Sequence, residues 1–164
     1  METIAVYWEE TIRTYGFQVE KGLCLVRADV DPTQLPDLGR WLGELGKAAL
    51  RFRLVLVHQP EAGALRLHLV CSGEWKDRLT TSPSPVFTDD ARHYRVDYPV
   101  EMLTFYGPHF GDRYGIAHKA CDALEKEDIR YIATGCSAAS VHFVFPENRA
   151  DRAADALGTV FKTP

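Results

Sequence analysis

The stretch Gly107-Pro-His-Phe-Gly-Asp-Arg-Tyr-Gly-Ile-Ala117 concentrates residue types that can hold a small charged molecule. Gly107, Gly111 and Gly115 let the backbone bend and come close to a ligand. A helix beginning near Arg113 would offer unpaired N–H groups and a partial positive charge, both suited to a carboxylate. Asp112 beside that terminus can take an ammonium group, so the loop can grip both ends of an α-amino acid. The same residues serve a plainer purpose equally well, with Asp112 capping the helix and the glycines shaping a tight turn.

Other chemically able residues fit no constellation. Six histidines, His58, His68, His93, His109, His118 and His142, raise the question of a metal. His68 and Cys71 are three apart on a strand and so face opposite ways. With a turn centred near Ala62, His58 and His68 sit well apart along a hairpin. His142 reads as a surface strand residue, and of the six only His109 is placed to touch a ligand. Ser137 and Ser140 flank Cys136 without a visible base, which an activated nucleophile needs. Cys121 falls on an inner helix face, and Glu9-Glu10 and Asp89-Asp90 are acidic pairs of the solvated kind. Trp8, Trp41 and Trp75 are isolated core or interface anchors. No Walker A or dinucleotide fingerprint occurs. No active site, metal or cofactor is expected.

The elements that must position the loop follow from periodicity. Gly22 to Asp29 reads as a mostly buried strand. Leu35, Leu38, Leu42, Leu45 and Ala49 form a helical stripe. Phe52, Leu54 and Leu56 alternate in a strand, Gln59 to Gly63 is a turn, and Leu65, Leu67, Leu69 and Cys71 alternate in the next strand. The order then returns. Met102 to Tyr106 is a strand, Ile116, Ala120, Cys121 and Leu124 line a helix, Ile129 to Thr134 is a strand, and Gly135 to Ala139 a turn. Val141, Phe143 and Phe145 alternate, and a last helix runs from Asn148 to Phe161. Matching Leu23 with Met102 and Phe52 with Ile129 gives a repeat of about 78 residues.

Two β-α-β-β units imply two ferredoxin-like βαββαβ modules in an α+β fold. Between them lies a linker from Gly73 to Asp90, with a short helix over Glu74 to Leu79. His93 to Asp97 closes the first module. The second has no sequence left for a closing strand, and an open edge is a pairing hazard. The segment Ile12 to Val19 can fill it. The expected modules are 20–99 and 100–164, the latter completed by 1–19.

Composition limits the partners. The net charge is −4, and no basic stretch supports a nucleic-acid face. No apolar run approaches the ~20 residues of a membrane span. Met1-Glu2-Thr3 opens no signal peptide. The four cysteines, Cys24, Cys71, Cys121 and Cys136, form no CxxC pair. A reduced, cytoplasmic protein is expected.

Residues 102 to 161 resemble the second ACT module of aspartate kinases. The likeness is carried by Met-Leu-Thr-Phe-Tyr-Gly107 through Asp112, Gly115, Ile116 and Ala117, then Ala123-Leu124, Ile129, Ser137, Val141-His-Phe-Val and Ala153 to Phe161. Arg51 to Gln59 is similar to the second strand of the first module, although Asp29 to Asp37 offers Pro32 and Pro36 where that module has a glycine. The kinase catalytic domain has no counterpart, so the resemblance implies regulation and not phosphoryl transfer. It also implies an effector site, for an amino acid, on the loop Pro108, His109, Phe110, Gly111, Asp112, Arg113, Tyr114, Gly115, Ile116 and Ala117. In such proteins the second strand of a neighbouring module closes the pocket, which points to Ile132, Ala133 and Thr134 or to Val57, His58 and Gln59. A homodimer, and a separate enzyme under its control, are the expected partners. Two other readings compete: a structural oligomerisation module without ligand, and a small ferredoxin-like enzyme.

Overall fold

The computed structural model describes residues 12–61, 63–81, 93–108 and 110–163. In chain order the elements are β1 (Ile12–Arg13), β2 (Phe17–Val30), α1 (Leu35–Lys47), β3 (Phe52–Glu61), β4 (Ala64–Ser72), α2 (Lys76–Thr81), β5 (Tyr94–Tyr106), α3 (Ile116–Lys126), β6 (Ala133–Cys136), β7 (Ser140–Pro146), α4 (Ala150–Gly158) and β8 (Phe161–Lys162). Short 3-10 turns occupy Pro32–Gln34, Gly73–Trp75 and Phe110–Asp112. The chain divides into two compact units, one of residues 22–100 and one of 1–21 with 101–164.

In the unit 22–100 the strands lie in the order β3-β4-β2-β5. With α1 after β2 and α2 after β4, this is the ferredoxin-like βαββαβ arrangement. Alternation dictates the core. Cys24, Val26, Ala28 and Val30 of β2 and Leu67, Leu69 and Cys71 of β4 face Leu38, Trp41 and Leu45 of α1 and Leu79 of α2. Trp41 is buried and Trp75 packs against this core. The 3-10 turn Pro32–Gln34 that runs into α1 carries a complete capping box: Asp31 accepts from Thr33 N at 2.8 Å, and the Gln34 side chain accepts from Asp31 N at 3.3 Å.

In the other unit the order is β2-β5-β7-β6, with β1 and β8 forming a separate parallel pair. Residues Phe17–Lys21 of β2 belong to this unit, and Ile12 and Arg13 of β1 pair with Phe161 and Lys162. Leu103, Phe105, Val141, Phe143 and Phe145 pack under Ile116, Ala120, Ala123 and Leu124 of α3 and Ala153 and Leu157 of α4. Phe105 meets Phe161 at 4.9 Å between ring centroids.

Several boundaries differ from expectation. Tyr94–Asp97 and Met102–Tyr106 are parts of one strand, β5, which begins one residue after His93. Strand β2 is likewise continuous from Phe17, after Thr14–Gly16 separates it from β1. Strand β3 runs through Gln59 and Pro60 to Glu61, with a bulge between His58 and Glu61, so the β3–β4 turn is tighter than Gln59–Gly63. Ala49 lies past the end of α1 at φ 67°. The strand expected over Ile129–Thr134 begins at Ala133, because Ile129 is spent closing α3 (its N–H donates to Leu124 O at 2.9 Å). Gly135 and Cys136 therefore belong to β6, and the turn shrinks to the bend that Ser137 N closes on Ser140 O at 2.8 Å. Helix α4 stops at Gly158, and Phe161 enters β8, the closing strand absent from the sequence reading. Trp8, the Glu9-Glu10 and Asp89-Asp90 pairs and His109 lie outside the described residues.

Candidate functional site

The loop that leads from β5 into α3 is built on two close approaches of the chain to itself. A Cβ on Gly107 would lie 2.4 Å from the Arg13 carbonyl oxygen and 2.5 Å from the Phe110 ring. One on Gly111 would lie 3.0 Å from the Ala138 carbonyl oxygen. These two glycines admit protein, not ligand. Gly115 differs: its φ is 82°, and nothing stands within 4 Å of the place a side chain would take. Phe110, buried, anchors the 3-10 turn edge-on against Phe105 at 5.8 Å. Ile116 is buried and Ala117 half-buried, whereas Tyr114 is wholly exposed.

The N-cap of α3 is Gly115 in the left-handed conformation, which brings no side chain of its own to the first N–H groups. The helix does not begin at Arg113, so Asp112 is not its N-cap. Asp112 sits instead at the end of the 3-10 turn Phe110–Asp112, beside Arg113, whose N–H reaches Phe110 O at 3.4 Å. Pro108 is half-buried at the head of the same loop. Of residues 132–134, Ile132 N, just before β6, donates to Val144 O at 2.7 Å, Ala133 is buried, and the Thr134 hydroxyl donates to His142 O at 3.0 Å. Gln59 is exposed on β3, in the unit 22–100. The loop residues are thus together, near the turn at Ala138, while Thr134 spends its hydroxyl on its own hairpin.

Two histidine expectations are overturned. His142 is half-buried, with Nδ1 3.0 Å from Thr104 Oγ1 and Nε2 2.9 Å from Ser140 Oγ. Burial lowers its pKa. Ser140 thus has an imidazole partner, and its Oγ also lies 2.8 Å from Ser137 Oγ. The i, i+2 spacing of Ser140 and His142 on one strand face was the readable signal for this contact. His58 and His68 do not sit apart: their rings stack at 5.1 Å and 9°. The bulge and the short turn set His58 opposite Arg66, diagonal to His68.

His68 is 5% exposed and its Nδ1 has no partner. Burial first, then His58, Arg27 and Arg66, press its pKa down to about 4, against Asp29. Around it Arg27 reaches Asp97 at 2.7 Å and Arg66 reaches Asp29 at 2.8 Å. The Arg66 hydrogen bond holds the Asp29 carboxyl below its usual range, assisted by His93. Among the described residues no three His, Cys, Asp or Glu side chains are grouped to hold a metal.

Glu101 escaped the sequence reading. It is 2% exposed, and its Oε2 accepts from Arg149 N at 3.0 Å and Ala150 N at 2.8 Å, capping α4 from a neighbouring strand. A glutamate in an apolar strand was its only signal.

No protein-family profile and no curated protein sequence matches the chain. Solved structures do. The regulatory subunit of aspartate kinase from Thermus thermophilus, in its ligand-free form, superposes with a TM-score of 0.74 at 11% identity, over 91% of this chain and 99% of that one. Aspartate kinase from Synechocystis gives 0.72 at 16% identity, over 93% of this chain and 28% of the kinase. Aspartokinase III of E. coli, in complex with lysine and aspartate, gives 0.54 at 16% identity, over 93% and 34%. The chain therefore has the two-module ACT fold of aspartate kinase regulatory regions. No helix among the described residues is long and apolar enough to cross a membrane.

Proposed function

We propose that this two-module ACT chain is a non-catalytic regulatory protein, binding an amino acid on the loop 108–117 and acting on a separate enzyme. The observation that carries the reading is the start of α3 at Gly115, an N-cap without a side chain and with nothing within 4 Å of the place a Cβ would take. Bare N–H groups at a helix start attract a carboxylate. Asp112, in the same loop, supplies the charge for the ammonium end. That lysine and aspartate are bound in a structural neighbour favours an amino acid as effector class.

The long edge strand β3, with exposed Phe52, Val55 and Val57, favours side-by-side pairing with a second copy. In that homodimer residues 132–134 and Gln59 serve as pocket walls. Light scattering at micromolar concentration is expected to give a dimer, and a monomer removes this wall.

Titration calorimetry with each proteinogenic amino acid tests the site. At least one is expected to bind below millimolar. If none does, the chain is a structural module.

A further inference from the structure

We propose that Cys24 and Cys71 form a reversible intramolecular disulfide in the unit 22–100, made by exchange with a low-molecular-weight disulfide of the glutathione type. The two residues are separated by most of that unit in sequence, yet the antiparallel register of β2 and β4 sets Cys24 directly opposite Cys71. Directly opposed antiparallel residues have Cα atoms ~4.5 or ~5.5 Å apart, and both values fall within the ~4.4–6.8 Å that a disulfide spans. Both side chains point to the same face, into the core beneath α1 and α2. Neither thiol is bridged in the reduced protein.

The two thiols perturb each other: Cys71 draws the Cys24 pKa down, while Cys24 and burial push Cys71 up. The thiolate is the nucleophile, and the lowered pKa of Cys24 favours it as the attacking group. Its sulfur attacks one sulfur of the small disulfide. That S–S bond breaks, and one thiol leaves with the electron pair and a proton. Cys71 then loses its proton and attacks Cys24 Sγ in the mixed disulfide, expelling the second thiol. Two protein thiols are oxidised and one small disulfide is reduced to two thiols.

Access is the remaining requirement, since both cysteines are fully buried. The cover is slight. Helix α2 has six residues and one buried side chain, Leu79, whose carbonyl accepts from Tyr94 OH at 2.7 Å. Tyr94 belongs to the same cover: burial raises its pKa, and so does the nearby charge of Cys24 and Cys71. A short element held by one apolar anchor opens locally at far lower cost than the whole unit. Opening α2 admits the small disulfide to Cys24, and reclosing brings Cys71 to the mixed disulfide.

The full chain is incubated in buffers of graded reduced and oxidised glutathione, quenched in acid, unfolded, alkylated and mapped by mass spectrometry. A linked peptide containing Cys24 and Cys71 is expected as the main buried product, while exposed Cys136 carries a glutathione adduct. Leu79→Ala should speed the cross-link roughly tenfold or more. Cys71→Ser should leave a glutathione adduct stalled on Cys24. Should Leu79→Ala not fold, mild urea on the wild type opens the same cover. The proposal fails if Cys24 and Cys71 are both recovered alkylated where Cys136 is fully modified. It fails equally if the link forms only in urea that unfolds the whole chain.

Discussion

The two long helices that follow each module's first strand begin in opposite ways. Before α1, Asp31, Thr33 and Gln34 satisfy one another's backbone groups, and Pro32 removes a donor altogether. Before α3, Gly115 turns the chain in the left-handed region and brings no side chain of its own to the first N–H groups. The helix α4 shows that this unit can close a helix start when it needs to, since Glu101 does so from β5.

Glu101→Ala should have the largest effect on stability. It removes two charge-assisted bonds and strands a buried N–H, a loss of about 3 kcal/mol, read as a lower urea midpoint. Ligand affinity in the surviving folded protein should be unchanged, and a weaker ligand would mean that α4 and the loop are coupled. Asp112→Ala should reduce amino-acid affinity by roughly one to two decades, from the ~1.5–3 kcal/mol of a charge-assisted contact. Unchanged affinity in calorimetry would place the site elsewhere.

A third expectation concerns pH. The folded-state pKa of His68 lies below its unfolded value, at about 4 against 6.5. Its contribution to stability is complete above pH 6.5 and is lost as pH falls toward 4, at up to about 1.4 kcal/mol per pH unit. His142 acts in the same direction, so His68→Gln should shrink the slope of stability against pH without abolishing it. A slope identical to wild type would show that His68 does not gain its proton on unfolding. The smallest effect belongs to Asp31→Ala, expected to lower Tm less than Glu101→Ala and to leave amino-acid affinity untouched. A loss of affinity there would dissolve the contrast between the two helix starts.

Much of the architecture was legible in the residues. The alternation of Leu65, Leu67, Leu69 and Cys71 marks β4, and the stripe Leu38, Leu42 and Leu45 marks α1, because each pattern has the period of its element. What stayed hidden depends on pairing. Nothing local announces that Cys24 faces Cys71, or that His58 reaches His68, because register is set by the bulge and turn between strands and not by either strand alone. Strand β8 was missed because two residues carry no period, and β5 was split because Asp97, Tyr98 and Pro99 interrupt its apolar pattern. At the candidate site the loop was found from its glycines, but their roles were not. Only Gly115 faces open space, while Gly107 and Gly111 are fixed by the chain's own carbonyls.

The cap on α4 also sets an order of events. Arg149 N, at the N-cap of that helix, is bonded to a carboxylate 48 residues earlier in the chain. Its own flanking sequence provides no side-chain cap to nucleate the first turn. During refolding, α4 must wait for β5 to bring Glu101 within reach, so its first turn is a late contact with a long loop to close. Substitutions at Glu101 should then leave the refolding rate nearly unchanged and accelerate unfolding, a φ-value close to zero for a residue at the centre of the fold.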